Sequence, residues 1–310
     1  MKTEKIAELC MARGRSSRTK SVRTSGMTIG TRLAVTLSLA VSACCISAHA
    51  GELVKVSSRD GVTESVFLDS PSATPPWVVM LFAGNDGAVG ATDHGPTRMQ
   101  GNFLIRTAPY WTGLGDATAI FDAPSDYASG MNDAFRLSDS AYRDVAAMVG
   151  ELRRRCPSAK IALVGTSRGT VTVGNVLKRN PALADAYVLT SPVTTVKGGQ
   201  PGLADMSWDP GHVRVLFLSN EHDGCGASPF GAAKRMANSN GFDFVAVSSS
   251  EGGGDRRSDC GAKSPHGFLG IEQQVLGTIN SWLNGQPVGA QFQLIPLERT
   301  YAGSQKAAQD

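Results

Sequence analysis

The chain has 310 residues, 41% hydrophobic and 18% charged, the balance of a soluble globular protein. Its 35 glycines and 15 prolines call for many tight turns and exclude coiled coil, collagen and a disordered chain. The formal charge of +3 is unevenly spread: residues 1–50 hold eight Lys/Arg against two Asp/Glu, and the remaining 260 hold 22 against 25. That split argues against a basic nucleic-acid-binding domain.

Residues 1–50 have the layout of an export signal to be removed. Arg13, Arg15, Arg18, Lys20, Arg23 and Arg32 precede an apolar run at 33–41, and Ala48-His49-Ala50 is a small-x-small cleavage site. Met27 offers an alternative start. The apolar run is too short for a membrane-spanning helix, which needs ~20 residues. Val41-Ser42-Ala43-Cys44 is a competing lipobox, with Cys44 as the acylated residue. Both routes imply an exported protein, periplasmic, secreted or lipid-anchored in the envelope, in which disulfides are permitted.

Beyond residue 50, β-branched apolar runs alternate with segments of helical period. Residues 63–69 are the more polar and fit an edge strand. Runs at 77–83, 117–122, 160–165, 186–190, 213–219 and 242–247 are almost continuously apolar, as in strands covered on both faces. Helices are expected at 138–155, where Ala141, Val145, Met148, Val149 and Leu152 repeat at helical spacing under a Ser138 or Asp139 cap, at 169–178 and at 271–283. The alternation predicts an α/β fold: a mostly parallel, doubly wound sheet of about eight strands with helices on both faces. The expected domain spans residues 51–285, followed by a polar tail at 286–310. Residues 84–116 form a long Gly-rich connection, of the kind that carries function.

Gly165-Thr166-Ser167-Arg168-Gly169 lies between a strand and a helix and matches G-x-S-x-G. A sharp turn there exposes the serine hydroxyl, and flanking glycines relieve the crowding. Serine needs a base. Of the five histidines, His49 lies in the export segment, His94 precedes the serine, His212 sits in a turn, and His222 adjoins its only nearby acid. His266, just before the last helix, stands where the order Ser…Asp…His puts the base. Asp223, past the strand ending near Ser219, is the expected acid, with Glu221 as its rival; Asp243 and Asp255 are less well placed. The backbone N–H of Arg168 is the first expected oxyanion donor. Asn85 is the second, with Gly84 and Asp86 as near equals. Cys225 and Cys260 sit in Gly-rich loops beside Asp223 and His266, and a bridge between them would tie acid loop to base loop; three free thiols, Cys156 included, are the alternative. No cofactor is expected, and no pair of histidines has metal-ligand spacing.

These residues resemble the α/β-hydrolase superfamily over about residues 52–285. More narrowly they are similar to exported bacterial α/β-hydrolase-like proteins of unassigned substrate. The segments that carry this likeness are 101–106, Asp122-Ala123-Pro124-Ser125-Asp126, 165–170 and 266–272. The resemblance implies a serine hydrolase but does not settle the bond cleaved; a small-molecule ester or acyl substrate is the first reading, and the short stretch between Pro192 and Trp208 leaves room for a small cap or none. A serine peptidase and a non-catalytic envelope protein on the same scaffold are the alternatives. The loop at 82–87 lacks the usual His-Gly, which leaves the second oxyanion donor open. Asp126 and Tyr127 either contact substrate or shape a turn, and Arg168 either attracts an anionic group or pairs with a carboxylate.

Overall fold

The computed structural model describes residues 51–209, 211–253 and 259–288. The export segment with Cys44, the rival acid Asp255 and most of the tail lie outside the described residues. No helix among the described residues is long and apolar enough to cross a membrane.

The elements are β1 (Glu52–Arg59), β2 (Val62–Asp69), β3 (Trp77–Phe82), a two-stranded ribbon of β4 (Ala91–Thr92) and β5 (Gly95–Pro96), α1 (Phe103–Arg106), α2 (Ala108–Gly113), β6 (Ala117–Phe121), α3 (Asp133–Arg136), α4 (Asp139–Arg155), β7 (Lys160–Thr166), α5 (Gly169–Arg179), β8 (Ala186–Thr190), β9 (Arg214–Asn220), α6 (Phe230–Ser239), β10 (Asp243–Val247) and α7 (Glu272–Leu283). Eight strands form one sheet in the order β1-β2-β6-β3-β7-β8-β9-β10. Only β2 runs against the rest.

Alternate residues of each central strand serve different layers. Val78, Met80 and Phe82 pack with Val145, Met148 and Leu152 of α4 and Val173 and Val176 of α5. Trp77, Val79 and Leu81 pack with Phe103, Leu104 and Trp111 of α1 and α2 and with Val275, Ile279 and Trp282 of α7. Both faces are therefore covered, which is why these strands read as unbroken apolar runs. Ser138 caps α4, its side chain accepting from the Ala141 N–H at 3.1 Å.

Three expectations need correction. Residues 63–69 do not form the edge; they lie in β2, inside β1, which folds back through a turn where Gly61 has φ +68°. Their polar look comes from an antiparallel strand that buries Glu64, Val66 and Leu68 and leaves the alternate positions partly open. The connection at 84–116 is not a bare loop: it holds the β4–β5 ribbon, α1 and α2, elements too short to show a period. Helix α6 was not expected because it fully buries only Ala233 and Ala237, a stripe too weak to read.

Glu64 is fully buried; its Oε1 accepts the Ser65 N–H at 2.7 Å and its Oε2 has no partner among the described residues. Burial, and then Asp144 and Asp122 nearby, hold its pKa well above the usual carboxylate range, against the pull of the Ser65 N–H and Arg59. A pKa raised in the folded state adds stability below the unfolded value of 4.5 and loses it as pH climbs through the folded value. Glu64→Gln is expected to raise the thermal midpoint near pH ~8 more than near pH ~5, as differential scanning fluorimetry at the two pH values would show.

Candidate active site

The candidate residues follow the C-terminal ends of parallel strands, Asn85 after β3, Ser167 after β7, Asp223 after β9 and His266 after β10, on the edge where doubly wound sheets bind ligands. Ser167 follows β7 directly and sits at φ +51°, a left-handed conformation costly for a residue with a Cβ. Its N–H donates to the Thr190 carbonyl at 3.0 Å, and its own carbonyl accepts the Thr170 hydroxyl at 2.5 Å and the Thr170 N–H at 3.0 Å. The flanking glycines are required by space. A Cβ on Gly165 would stand 2.8 Å from the carbonyl carbon of Gly169, and one on Gly169 would stand 2.0 Å from the Phe82 oxygen. The strain is thus held by backbone on both sides, and α5 begins at once, which sets its positive N-terminal end beside Ser167 in the chain.

The loop after β3 closes over Ser167. A Cβ on Gly84 would meet the Ser167 Cβ at 2.9 Å and its Oγ at 3.4 Å, so only a glycine lets the loop lie this near. The next residue, Asn85, has φ +47° in a turn closed by Gly87 N–H donating to the Gly84 carbonyl at 3.1 Å. The Asn85 carbonyl accepts from Nη2 of Arg136 at 3.2 Å. Arg136 is buried, and burial pulls its pKa down to about 10, with Asp133 and Asp86 opposing the fall and Arg168 adding to it. It remains a cation at neutral pH, behind the loop. Asp122 fixes the following stretch, its carboxylate accepting the N–H groups of Val89, Gly90 and Ala91.

His266 and Asp223 meet directly, His266 Nδ1 lying 2.8 Å from Asp223 Oδ2, with both side chains buried. A carboxylate only accepts, so Nδ1 carries the proton of this bond, and in the neutral imidazole that leaves the lone pair on Nε2. Nε2 is buried and has no hydrogen-bond partner among the described residues, Ser167 Oγ included. The other carboxylate oxygen, Oδ1, accepts the Cys225 N–H at 2.9 Å. Cys225 is bridged to Cys260, so the disulfide joins the Asp223 loop to the His266 loop across 35 residues. Closing a loop of that length contributes about 3–4 kcal/mol in the chain-entropy view. Among the described residues Cys156 is the remaining free thiol, and it is buried.

The rival residues stand elsewhere. His94, His212, His222 and Glu221 are exposed, and the Asp243 carboxylate accepts the Trp282 indole N–H at 2.6 Å. Arg168 turns its guanidinium to the buried carboxylate of Asp133 at 2.6 Å and to Gln200 at 3.2 Å. Of its two open roles, pairing is the one it takes. Asp126 pairs with Arg59 at 2.9 Å and Tyr127 stacks on Phe135 at 3.8 Å, so that segment shapes a turn. Asp133 and Arg136 gave no sequence signal, because α3 is a single turn. Among the described residues one set, Asp223, Cys225 and His266, groups metal-ligating atoms within 4.8 Å of one another. Its sulfur is committed to the disulfide and its other two members to each other, so it offers a metal no three free ligands.

No protein-family model and no curated protein matches the chain. Solved structures do. XC6422 from Xanthomonas campestris, an α/β serine hydrolase without a lid, superposes with a TM-score of 0.50 at 15% identity over 77% of this chain and 98% of that one. MGS-M1, an α/β hydrolase enzyme from a Medee basin deep-sea metagenome library, gives 0.52 at 14% identity over 76% and 98%. Est1E from Butyrivibrio proteoclasticus gives 0.51 at 14% identity over 76% and 98%. Sheet order, crossovers and these superpositions agree: the chain has the α/β-hydrolase fold.

Proposed function

We propose that the chain is an exported serine hydrolase that cleaves a carboxylic ester or related acyl bond through an acyl-enzyme. The observation that carries this reading is the buried His266–Asp223 pair, whose Nε2 has no hydrogen-bond partner among the described residues, in a loop at the same sheet edge as the strained Ser167. Thr190 takes the Ser167 N–H and the adjacent Ser191 hydroxyl bonds the His266 carbonyl at 2.8 Å, so two consecutive residues hold both backbones.

In the proposed reaction Nε2 removes the Ser167 proton as Oγ attacks the substrate carbonyl. Asp223 keeps the imidazole in the required tautomer and stabilises the imidazolium. The backbone N–H groups of Arg168 and Asn85 receive the oxyanion. The imidazolium then protonates the leaving alcohol, and water, deprotonated by the same nitrogen, releases the acid and restores Ser167. Asp133 compensates the charge on Arg168, which fits an uncharged acyl group better than an anionic one. The disulfide supports export, since such bridges persist in oxidising compartments.

A fluorophosphonate probe tests the reading. Wild type is expected to gain one covalent adduct at Ser167 and Ser167→Ala none. Folded wild type that stays unlabelled would remove the hydrolase reading and leave a binding protein on this scaffold. Faster turnover of p-nitrophenyl esters than of peptide anilides is the expected second result; the reverse order would make the protein a peptidase.

A further inference from the structure

Three side chains from three separate elements donate to three consecutive carbonyls of the His266 loop. Asn220 Nδ2, at the end of β9, donates to the Pro265 oxygen at 3.1 Å. Ser191 Oγ, just past β8, donates to the His266 oxygen at 2.8 Å. Arg106 Nη2, from α1, donates to the Gly267 oxygen at 2.6 Å. The first two have particular leverage. The Pro265 carbonyl lies in the peptide plane that sets φ of His266, and the His266 carbonyl lies in the plane that sets ψ. With both planes held, the direction of the His266 Cα–Cβ bond is held too, and Asp223 need only fix the ring.

Ser191 carries a second, independent mark. It sits at φ +43°, fully buried. Left-handed backbone is unfavourable for serine, and the proline that follows restricts it further. Its N–H still donates to the Leu218 carbonyl at 2.9 Å, and its carbonyl accepts the Ser228 hydroxyl at 3.0 Å. Glycine would fit this backbone without cost, yet serine stands here, and its hydroxyl donates to the His266 carbonyl. Asn220 is likewise fully buried; besides Pro265 it donates to the Ser249 carbonyl, and its Oδ1 accepts the N–H groups of His222 and Ser249. It therefore holds the start of the acid loop and the base loop with one side chain.

We propose that Ser191 and Asn220 are positioning residues that orient His266 by clamping the two peptide planes around its Cα; this rests on His266 being the base. Ser191→Gly separates positioning from plain stability. It removes the donor and also the backbone strain, so the thermal midpoint is expected to stay level or rise. kcat on p-nitrophenyl acetate is expected to fall roughly 10- to 100-fold with KM unchanged, since small misplacements of a catalytic group cost this much. The downfield proton resonance of the His266–Asp223 hydrogen bond is expected to broaden. Ser191→Ala, which keeps the strain and loses the hydroxyl, is expected to show the same kcat loss. Wild-type kcat and an unchanged resonance in both variants would overturn the clamp while leaving the hydrolase reading in place. If His266→Ala hydrolyses as fast as wild type, the reading beneath the clamp fails, and the clamp with it.

Discussion

Ser167→Ala and His266→Ala are each expected to lower kcat on an activated ester by about a millionfold, and the double variant is expected to lose no further activity. The physical reason is that in the proposed scheme the two groups act as one unit. A serine hydroxyl without a base is a weak nucleophile at neutral pH, and a base without the hydroxyl has nothing to deprotonate. Asp223→Asn is expected to cost less, about 10⁴-fold, for a reason this site makes specific. Asp223 Oδ1 accepts the Cys225 N–H, while Oδ2 faces His266. An asparagine there keeps its oxygen toward the Cys225 N–H and must turn its NH₂ to His266. The amide then donates to Nδ1, the ring proton moves to Nε2, and the lone pair that should accept the Ser167 proton is lost. Steady-state kinetics on the four variants measure all of this. Additive losses in the double variant, or an Asp223→Asn enzyme as active as wild type, would dismantle the scheme.

The centre of the fold is legible because its strands are buried on both faces: Trp77–Phe82, Lys160–Thr166 and Ala186–Thr190 read as apolar runs since every second residue meets a different helical layer. The elbow is legible because steric demand leaves glycines at two fixed offsets from Ser167. Asp223 and His266 could be singled out as candidates because each sits in a short loop at the end of a readable element, and the bridge between Cys225 and Cys260 follows from the same two loops. What stayed hidden depends on contacts distant in sequence. β1 looked unremarkable because its partner alone determines its place at the edge. Arg136 and Asp133 act on the loop at Asn85 and on Arg168 from a single helical turn. Ser191 and Asn220 are ordinary residues whose meaning lies in which carbonyl each one reaches, 75 and 45 residues away. No periodicity or local motif records such a bond.

Gly169→Ala is expected to leave little folded protein, and the reason lies in which neighbour its methyl meets. The added Cβ would fall 2.0 Å from the Phe82 oxygen and 2.9 Å from the Ala83 oxygen. The Phe82 oxygen belongs to β3 and Ala83 follows it directly, and β3 is paired in register with β6 on one side and β7 on the other. They cannot retreat without breaking the middle of the sheet, and α5 cannot retreat without abandoning the backbone geometry at Ser167. A loss above about 4 kcal/mol follows, the range reserved for substitutions that the structure cannot absorb, against a total stability of about 5–15 kcal/mol for a domain. Two other glycines calibrate the claim. Gly174 also lies in α5, but its added Cβ would meet the Leu203 side chain at 2.6 Å; a side chain can shift, so Gly174→Ala is expected to cost about 1–3 kcal/mol. Gly150 lies exposed in α4 with nothing within 4 Å, and Gly150→Ala is expected to gain about 0.5–1 kcal/mol from helix propensity. Urea denaturation of the three variants would rank them Gly150→Ala above wild type, then Gly174→Ala, with Gly169→Ala lowest or insoluble. A folded Gly169→Ala of near wild-type stability would mean that the chain turns out of β7 with far more room than the close approach of Gly169 to β3 allows, and that Ser167 is not held in the strained geometry on which its proposed chemistry depends.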